Sequence, residues 1–469
     1  MVDRKARAYL YFQVIVAVAG TFNWSYGIIL MSGAILYVRP FFNITGSSLV
    51  IFAHRISPSW IEGLTMSTGL FGTVAGMMLG SRFTDKIGRK NSLILGAILL
   101  GVGAVGSSAS NTLAIWNCFR FVGGVGGGLA LLVAPIYASE IAPAEKRGSL
   151  VTFTQMGIIL GAFAANLSTY GIARLVGSKP DCWRLMCALG CLPIGIFLIG
   201  LYFVGETPRW LVMKGREEEA RAALVRTGAG NLTERTMQAI GESLIRKTGS
   251  LRELIRPGVR IATLIAFGLA IFDQWVGVPT LVYYAPTLFV KVGVSTNASA
   301  IGNTVLIRVG DIFWTLFAIY WVDRFGRRPL LLLGTLGIAA GQLLMGWCFS
   351  HQASPTLVLI AFFVCEATFN ASLPSVAWLV VTEIFPTRLR ARGMAIHGSM
   401  RFGSSLVLAQ VFPPMVDFFR THFGSEASVF RFFALVALAT FVFSFLLVPE
   451  TRGKTLEEAS STYFPGNVD

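Results

Sequence analysis

The composition of the chain is that of a membrane protein. Its 469 residues are 54% apolar and only 13% charged, with a mean hydropathy of +0.66, whereas about a quarter of the residues of a soluble domain are charged. The net charge of +15 would suggest nucleic acid as the partner of a soluble protein. Here the cations collect in short segments between apolar runs, so we expect a lipid bilayer and no nucleic acid as the partner.

Twelve apolar runs are long enough to cross a bilayer, which takes about 20 apolar residues in a helix. Continuous runs of this kind favour helices over a barrel of alternating strands. The predicted fold is therefore an all-α membrane protein with twelve transmembrane helices in two six-helix halves. The predicted spans are 8–37, 60–83, 91–110, 113–139, 149–175, 184–204, 259–290, 298–322, 329–350, 355–382, 392–419 and 427–448.

A charged, amphipathic gap between the sixth and seventh spans divides the chain. We predict an N-terminal six-helix bundle at 1–205, a cytoplasmic linker of short amphipathic helices at 206–258, a C-terminal six-helix bundle at 259–448 and a short cytoplasmic tail at 449–469. Lys and Arg concentrate in the linker and in alternate loops, which is the positive-inside pattern. This pattern predicts a multi-pass protein of the plasma (cell inner) membrane with both termini in the cytoplasm.

Charged motifs recur in the same order in the two halves. Three acidic positions of the first half are repeated about 240 residues later, and each is followed or preceded by similar neighbours. Such recurrence at one spacing indicates a duplicated chain. The pairs are Asp85 with Asp323, Glu140 with Glu383, and Glu206 with Glu450.

The motifs resemble those of the sugar-porter branch of the major facilitator superfamily, in order and over essentially the whole chain. The matching segments are 80–90, 120–124, 206–210, 323–328 and 449–455. The resemblance implies a secondary transporter, not an enzyme, with the substrate site at the midplane between the halves and alternating access by their rocking.

The resemblance also implies a gating role for ten charged residues. Ion pairs among them would hold the halves together while the cavity faces outward, and breaking the pairs would permit the inward state. The alternative is that they are loop charges that only set topology. The ten are Asp85, Arg89, Glu140, Arg147, Glu206, Asp323, Arg327, Glu383, Arg390 and Glu450.

Span one departs from the pattern of proton-coupled sugar porters. Those proteins carry an aspartate there, paired with the arginine of span four, but Gly27 stands at that position and leaves Arg120 without this partner. Ionisable groups inside spans are costly and are by default functional candidates. The candidates for proton coupling are Asp273, Asp311, Glu366 and His397. If none of them couples protons, the protein is a uniporter.

Seven residues are candidates for substrate binding. By resemblance, Gln155, Gln274 and Trp378 match sugar-contact positions, and amide side chains suit hydroxyl-rich ligands because they both donate and accept hydrogen bonds. At four further candidate positions the chain differs from the family. These are Asp273, Asp311, Asn370 and Arg401.

Arg401 favours an anionic substrate, because a guanidinium binds a carboxylate through two parallel hydrogen bonds. The alternative is a structural ion pair of Arg401 or Arg308 with Asp311. Arg308 and Asp311 lie three residues apart on one helix face, which would leave Arg401 as the freer cation. For His397 the alternative to proton coupling is a structural role, because a lone histidine in a span is more often packed and hydrogen-bonded than a proton switch.

The predicted function is proton-coupled symport of a small polar organic solute, with a sugar acid or other organic acid favoured. The first alternative is a neutral monosaccharide or polyol carrier, and the second is a non-transporting nutrient sensor. No phosphate-binding loop, nucleophile set or metal-ligand spacing occurs, so no cofactor or metal is expected. The expected partners are the solute, protons and the bilayer, and the chain is expected to be a monomer.

Overall fold

The computed structural model describes residues 4–44, 46, 49–51, 54–143, 147–177, 179–228, 233–245, 251–256 and 259–452. Nearly all of these residues are helical. One short antiparallel hairpin joins β1 (Leu49–Ile51) to β2 (His54–Ile56), with Val50 opposite Arg55. Of the predicted tail, residues 453–469 lie outside the described part of the chain.

The contacts within the chain divide it into two compact units. Unit 1 comprises Met1–Phe42 and Thr68–Lys247, so it contains the short linker helices as well as the first bundle. Its helices are α1 (Arg4–Phe41), most of α2 (Pro58–Ile87), α3 (Arg89–Ala109), α4 (Leu113–Ile141), α5 (Arg147–Val176), α6 (Cys182–Leu189), α7 (Cys191–Phe203), α8 (Pro208–Met213), α9 (Glu217–Arg226) and α10 (Thr233–Ile245).

Unit 2 comprises Asn43–Ser67 and Thr248–Asp469. A short 3-10 helix, Leu251–Ile255, precedes its spans. The helices that follow are α11 (Arg260–Trp275), α12 (Val278–Lys291), α13 (Asn297–Phe325), α14 (Arg327–Ser350), α15 (Pro355–Asn370), α16 (Leu373–Ile384), α17 (Thr387–Phe423) and α18 (Ser428–Leu447).

The twelve-helix fold predicted from the sequence is confirmed. Among the described residues, eleven segments are long and apolar enough to cross a membrane. The twelfth helix is α2, which has 30 residues but is rich in Gly and Thr. Each unit therefore carries six spans, as the apolar runs indicate.

Three of the predicted spans are each made of two helices. The breaks lie between α6 and α7, between α11 and α12, and between α15 and α16. At the second break Gly277 has φ 86°, in the left-handed region that favours glycine. A Cβ at Gly277 would lie 2.4 Å from the ring of Phe433, so neither the backbone nor the packing tolerates a side chain there.

Glycines let α2 and α4 of unit 1 approach closely. A Cβ at Gly124 would lie 2.2 Å from the carbonyl oxygen of Gly69, and one at Gly128 would lie 2.1 Å from that of Thr73. Small residues at helix interfaces permit this kind of packing in membranes. The side chains around α4 are therefore positioned by backbone contact, which leaves little freedom to shift.

We expect Gly128→Ala to destabilise unit 1 by about 1–3 kcal/mol, because overpacking forces side chains and backbone apart. The measurement is thermal unfolding of the purified protein in detergent. Gly195→Ala on α7 is the matched control, since a Cβ there meets nothing within 4 Å. Equal unfolding temperatures for the two variants would contradict the close contact of α4 with Thr73.

Candidate functional site

A charged cluster forms at the N-terminus of α3 in unit 1. The guanidinium of Arg89 binds Glu140 with two nitrogens, Nη2 and Nε, each at 3.0 Å, and its Nη1 lies 3.0 Å from Asp85. Arg89 and Glu140 are nearly buried, whereas Asp85 is mostly exposed. Nη2 forms a hydrogen bond to Glu140, whereas Nε lies within ion-pair distance of the second carboxylate oxygen.

Glu206 completes this α3 cluster. Its carboxylate accepts hydrogen bonds from the backbone N–H groups of Arg89 at 3.0 Å, Lys90 at 3.1 Å and Thr207 at 3.0 Å. A helix N-terminus favours such an anion. Burial raises the pKa of the Glu206 carboxyl, while these backbone donors and the charge of Arg89 act in the opposite direction. The hydroxyl of Thr207 donates to Glu140 at 2.6 Å, which joins the two acids.

The same arrangement recurs at the N-terminus of α14 in unit 2. Arg327 donates from Nη2 to Glu383 at 2.9 Å. Glu450 accepts from the backbone N–H groups of Arg327 and Arg328, both at 3.1 Å, and the hydroxyl of Thr451 donates to Glu383. The duplicated motifs of the sequence thus build two copies of one cluster.

Each described contact of these two clusters joins residues of a single unit. A role in holding the two halves together stays a prediction for all ten charged residues. The side chains of Arg147 and Asp323 lie outside the described part of the chain. Arg390 donates to the carbonyl of Phe385 at 3.4 Å. Sequence reasoning missed Thr207 and Thr451, although both follow a duplicated glutamate and could have been found by that repeat.

A buried group of ionisable residues, the α13–α15 cluster, lies inside unit 2. It consists of Arg308 and Asp311 on α13 with Glu366 and Asn370 on α15. The predicted ion pair of Arg308 with Asp311 forms, but it is not self-contained, because Nη2 of Arg308 lies 3.8 Å from Oε1 of Glu366. The three charged residues are 3–7% exposed.

Asn370 links the two acids of this cluster. Its Nδ2 donates to Oδ1 of Asp311 at 2.9 Å and to Oε2 of Glu366 at 3.0 Å. Two carboxylates share one guanidinium, so the cluster has a net charge of −1 when both are ionised and is neutral when one holds a proton. Inside a membrane the neutral state is strongly favoured, because neighbouring carboxylates disfavour simultaneous ionisation. Proton coupling through the α13–α15 cluster stays a prediction.

The pairing of Arg401 corrects the interpretation from sequence. Its Nε donates to Oδ2 of Asp273 at 2.6 Å, and the side-chain amide of Gln274 donates to the same oxygen. Asp273 is 1% exposed, whereas the Arg401 side chain is 23% exposed. Arg401 is thus not the freer cation, because Asp273 of α11 compensates its charge. The two residues are 128 positions apart, and sequence spacing alone gave no signal for this contact.

Three of the candidate site residues of unit 2 lie at helix breaks. Asp273 and Gln274 lie in the last turn of α11, and Asn370 is the last residue of α15. Discontinuous helices of this kind form the substrate and ion sites of many secondary transporters. At the break after α11 the backbone N–H groups of Val276 and Gly277 donate to the carbonyls of Phe272 and Gln274, so the side chains are the groups that can bind a polar solute.

Three further candidates are placed as follows. His397 is buried, its Nδ1–H donates to the carbonyl of Ala266 at 2.8 Å, and its ring meets that of Trp378 edge-on at 5.3 Å. This is the packed, hydrogen-bonded histidine that the sequence analysis gave as the alternative. Trp378 is half-buried on α16. Gln155 lies exposed on α5 of unit 1.

Arg120 of α4 contacts the position where span one departs from the family. Its Nη1 donates to the backbone carbonyl of Gly27 at 2.8 Å, and its guanidinium lies 5.6 Å from the ring centroid of Trp116. No carboxylate of the described residues pairs with it. The described hydrogen bond between span one and Arg120 is thus made by the backbone of span one.

Two six-span units, duplicated charged clusters and buried ionisable groups at helix breaks are together the features of a secondary membrane transporter. A family model described as "Sugar (and other) transporter" matches residues 12–463. The chain therefore belongs to the sugar transporter family of the major facilitator superfamily, and it is not an enzyme.

Relatives match along almost the whole chain. The D-xylose-proton symporter of Escherichia coli is 32% identical over 98% of this chain and 96% of its own length. The arabinose-proton symporter of Bacillus subtilis is 31% identical over 94% of this chain and 92% of its own. A solved structure of the E. coli xylose transporter in an inward open conformation has a TM-score of 0.82 at 29% identity and covers 97% of this chain and all of its own.

Proposed function

We propose that the protein is a proton-coupled symporter of a neutral monosaccharide or polyol that works by alternating access. The observation that carries the proposal of a neutral substrate is the ion pair of Arg401 with Asp273. In this pair the carboxylate of Asp273 compensates the positive charge of Arg401 on α17. The activities of relatives support it, since they include symport of xylose and arabinose with protons and transport of glucose and of polyols.

A neutral ligand suits the contacts of Arg401. Its described hydrogen bond uses Nε, which leaves Nη1 and Nη2 as donors for hydroxyl groups. The amide oxygen of Gln274 remains as an acceptor beside them. A substrate carboxylate would have to compete with Asp273 for the guanidinium and would meet its negative charge at short range. The expectation of an acidic substrate rested on Arg401 as an uncompensated cation, and Asp273 compensates this charge.

We assign the transported proton to Glu366 of the α13–α15 cluster. Asp311 is in direct contact with Arg308, whereas the nearest contact of Glu366 with that guanidinium is 3.8 Å. Oε1 of Glu366 is buried and has no hydrogen-bond partner among the described residues. A carboxyl group in that position is better accommodated with a proton than as an ion. Asp311 then remains the ionised partner of Arg308.

The proposed location is the inner membrane of the cell, with both termini and helices α8–α10 in the cytoplasm. The support is the distribution of Lys and Arg, which concentrate in the linker and in alternate loops. Positively charged loops are retained on the cytoplasmic side during insertion. In this orientation the α3 and α14 clusters also face the cytoplasm.

A thermal-shift panel on the purified protein tests the substrate class. Each neutral sugar or polyol is paired with its acid form at two pH values. A ligand that binds only the folded state stabilises it, by about 2.7 kcal/mol at one hundred times its dissociation constant. We expect neutral compounds to raise the unfolding temperature and their acids to leave it unchanged. Stabilisation by acids alone would contradict the proposal and restore the anionic substrate.

A further inference from the structure

Arg120 is a cation inside a membrane span, and the described residues supply no acid that compensates its charge. Among the described residues, its polar contact is the one to the carbonyl of Gly27, a neutral acceptor. Its Nε is buried and has no hydrogen-bond partner there. A charged group buried in this way is costly unless an opposite charge accompanies it. The Arg401 and Arg308 guanidiniums of unit 2 both have such an acid.

A cavity lies beside this guanidinium within unit 1. Its volume is about 50 Å³, and Arg120 lines it together with Tyr26 and Gly27 of α1 and Cys187 of α6. One water molecule needs roughly 10–15 Å³ of such space, so the cavity has room for several waters or for one small anion. Its lining residues all belong to unit 1, so it is separate from the substrate site proposed for unit 2.

Two glycines shape the space around the guanidinium. A Cβ at Gly69 of α2 would lie 3.1 Å from Nη2 of Arg120, so the absence of a side chain there leaves room for the arginine. A Cβ at Gly27 would meet nothing within 4 Å. On the α1 side, next to the carbonyl that Arg120 binds, the space is thus open and is not filled by a side chain.

We propose that a small monovalent anion, for which chloride is the probe, binds in this cavity as the counterion of Arg120. The ion would accept hydrogen bonds from guanidinium nitrogens, and Nε is the donor that lacks any other partner. It would supply the negative charge that no side chain of the described residues supplies. The site is a separate function from solute transport, because it stabilises the fold of unit 1 whether or not a sugar is bound.

The test is thermal unfolding of the purified, sugar-free protein as chloride replaces glutamate at constant ionic strength. Glutamate is larger than chloride and is not a sugar acid, so it serves as the reference anion without acting as a candidate substrate. We expect the apparent Tm to rise with chloride and to saturate, by about 2–4 °C in total. A parallel titration with formate distinguishes a site for halides from one for small anions in general, and a rise with either ion supports the site. A Tm that is independent of both ions would overturn the proposal and leave water in the cavity.

Substitutions at Gly27 and Arg120 test whether chloride raises the Tm by binding in this cavity. Gly27→Asp places a carboxylate in the open space beside Arg120, so its Tm should no longer depend on chloride. Gly27→Ala is the matched control, which adds a side chain without charge and should keep the full dependence. The Tm of Arg120→Gln should not depend on chloride. A chloride-dependent rise that persists in Arg120→Gln would show binding elsewhere and contradict the assignment, even if Gly27→Asp failed to fold.

Discussion

Replacing Glu366 with glutamine should abolish the accumulation of sugar that a proton gradient drives, while sugar exchange across the membrane continues. Glutamine resembles the protonated glutamate in shape and charge, so the α13–α15 cluster is fixed in its neutral state. One proton moving through 100 mV supplies about 2.3 kcal/mol, which supports a sugar gradient of about 50-fold. We expect no such gradient to form in proteoliposomes made with Glu366→Gln.

Two controls accompany this variant. Glu242→Gln removes a carboxylate from the exposed surface of α10, and it should accumulate sugar like the wild type. Asp311→Asn removes the direct partner of Arg308, so it should lose stability as well as coupling, because the guanidinium would keep only the 3.8 Å contact with Glu366. Full accumulation by Glu366→Gln would show that the transported proton is held elsewhere.

Replacing Asp273 with asparagine should change which substrates bind. The substitution removes the charge that compensates Arg401, and the guanidinium then becomes a free cation beside the helix break. A hydrogen bond to a charged group contributes about 1.5–3 kcal/mol, so the affinity for a sugar acid should rise about 10- to 150-fold relative to its neutral form. Ligand titrations by thermal shift or isothermal calorimetry measure this ratio.

The matched control is Asp417→Asn, which removes the acid of an exposed ion pair on the same helix as Arg401. Exposed pairs contribute little, so this variant should keep the preference for neutral ligands. An acid-to-neutral ratio in Asp273→Asn equal to that of the wild type would mean that Arg401 does not contact the substrate.

Removing the arginine instead should damage the fold. Arg401→Gln leaves Asp273 buried without its partner, and breaking a buried ion pair in this way costs about 3–5 kcal/mol.

The helices could be predicted from the sequence because each span needs a long apolar run, and runs of that length are rare in soluble proteins. The breaks could not. The break at Gly277 depends on the left-handed backbone of this residue and on its contact with the ring of Phe433. Phe433 belongs to α18 and lies more than 150 residues later in the sequence. Hydropathy reports neither the backbone conformation nor the distant ring, so the sequence predicts span 259–290 as a single helix.

The ion pair within one helix could be predicted from the sequence, whereas the ion pair between two helices could not. Arg308 and Asp311 lie three residues apart, and their ion pair follows from helical geometry alone. The pairing of Arg401 with Asp273 depends on which faces of α17 and α11 meet. The sequence favours an anionic substrate because it shows Arg401 without its partner, and the ion pair with Asp273 removes that reason.

The central claim is that sugar and protons move together. The most direct measurement is the pH of a weakly buffered external medium after a neutral sugar gradient is imposed on sealed proteoliposomes. Coupled transport predicts that the medium becomes more alkaline as sugar moves inward through the wild-type protein, and that Glu366→Gln transports sugar by exchange without this change. Sugar uptake by the wild type with no movement of protons would contradict the account and identify the protein as a facilitator.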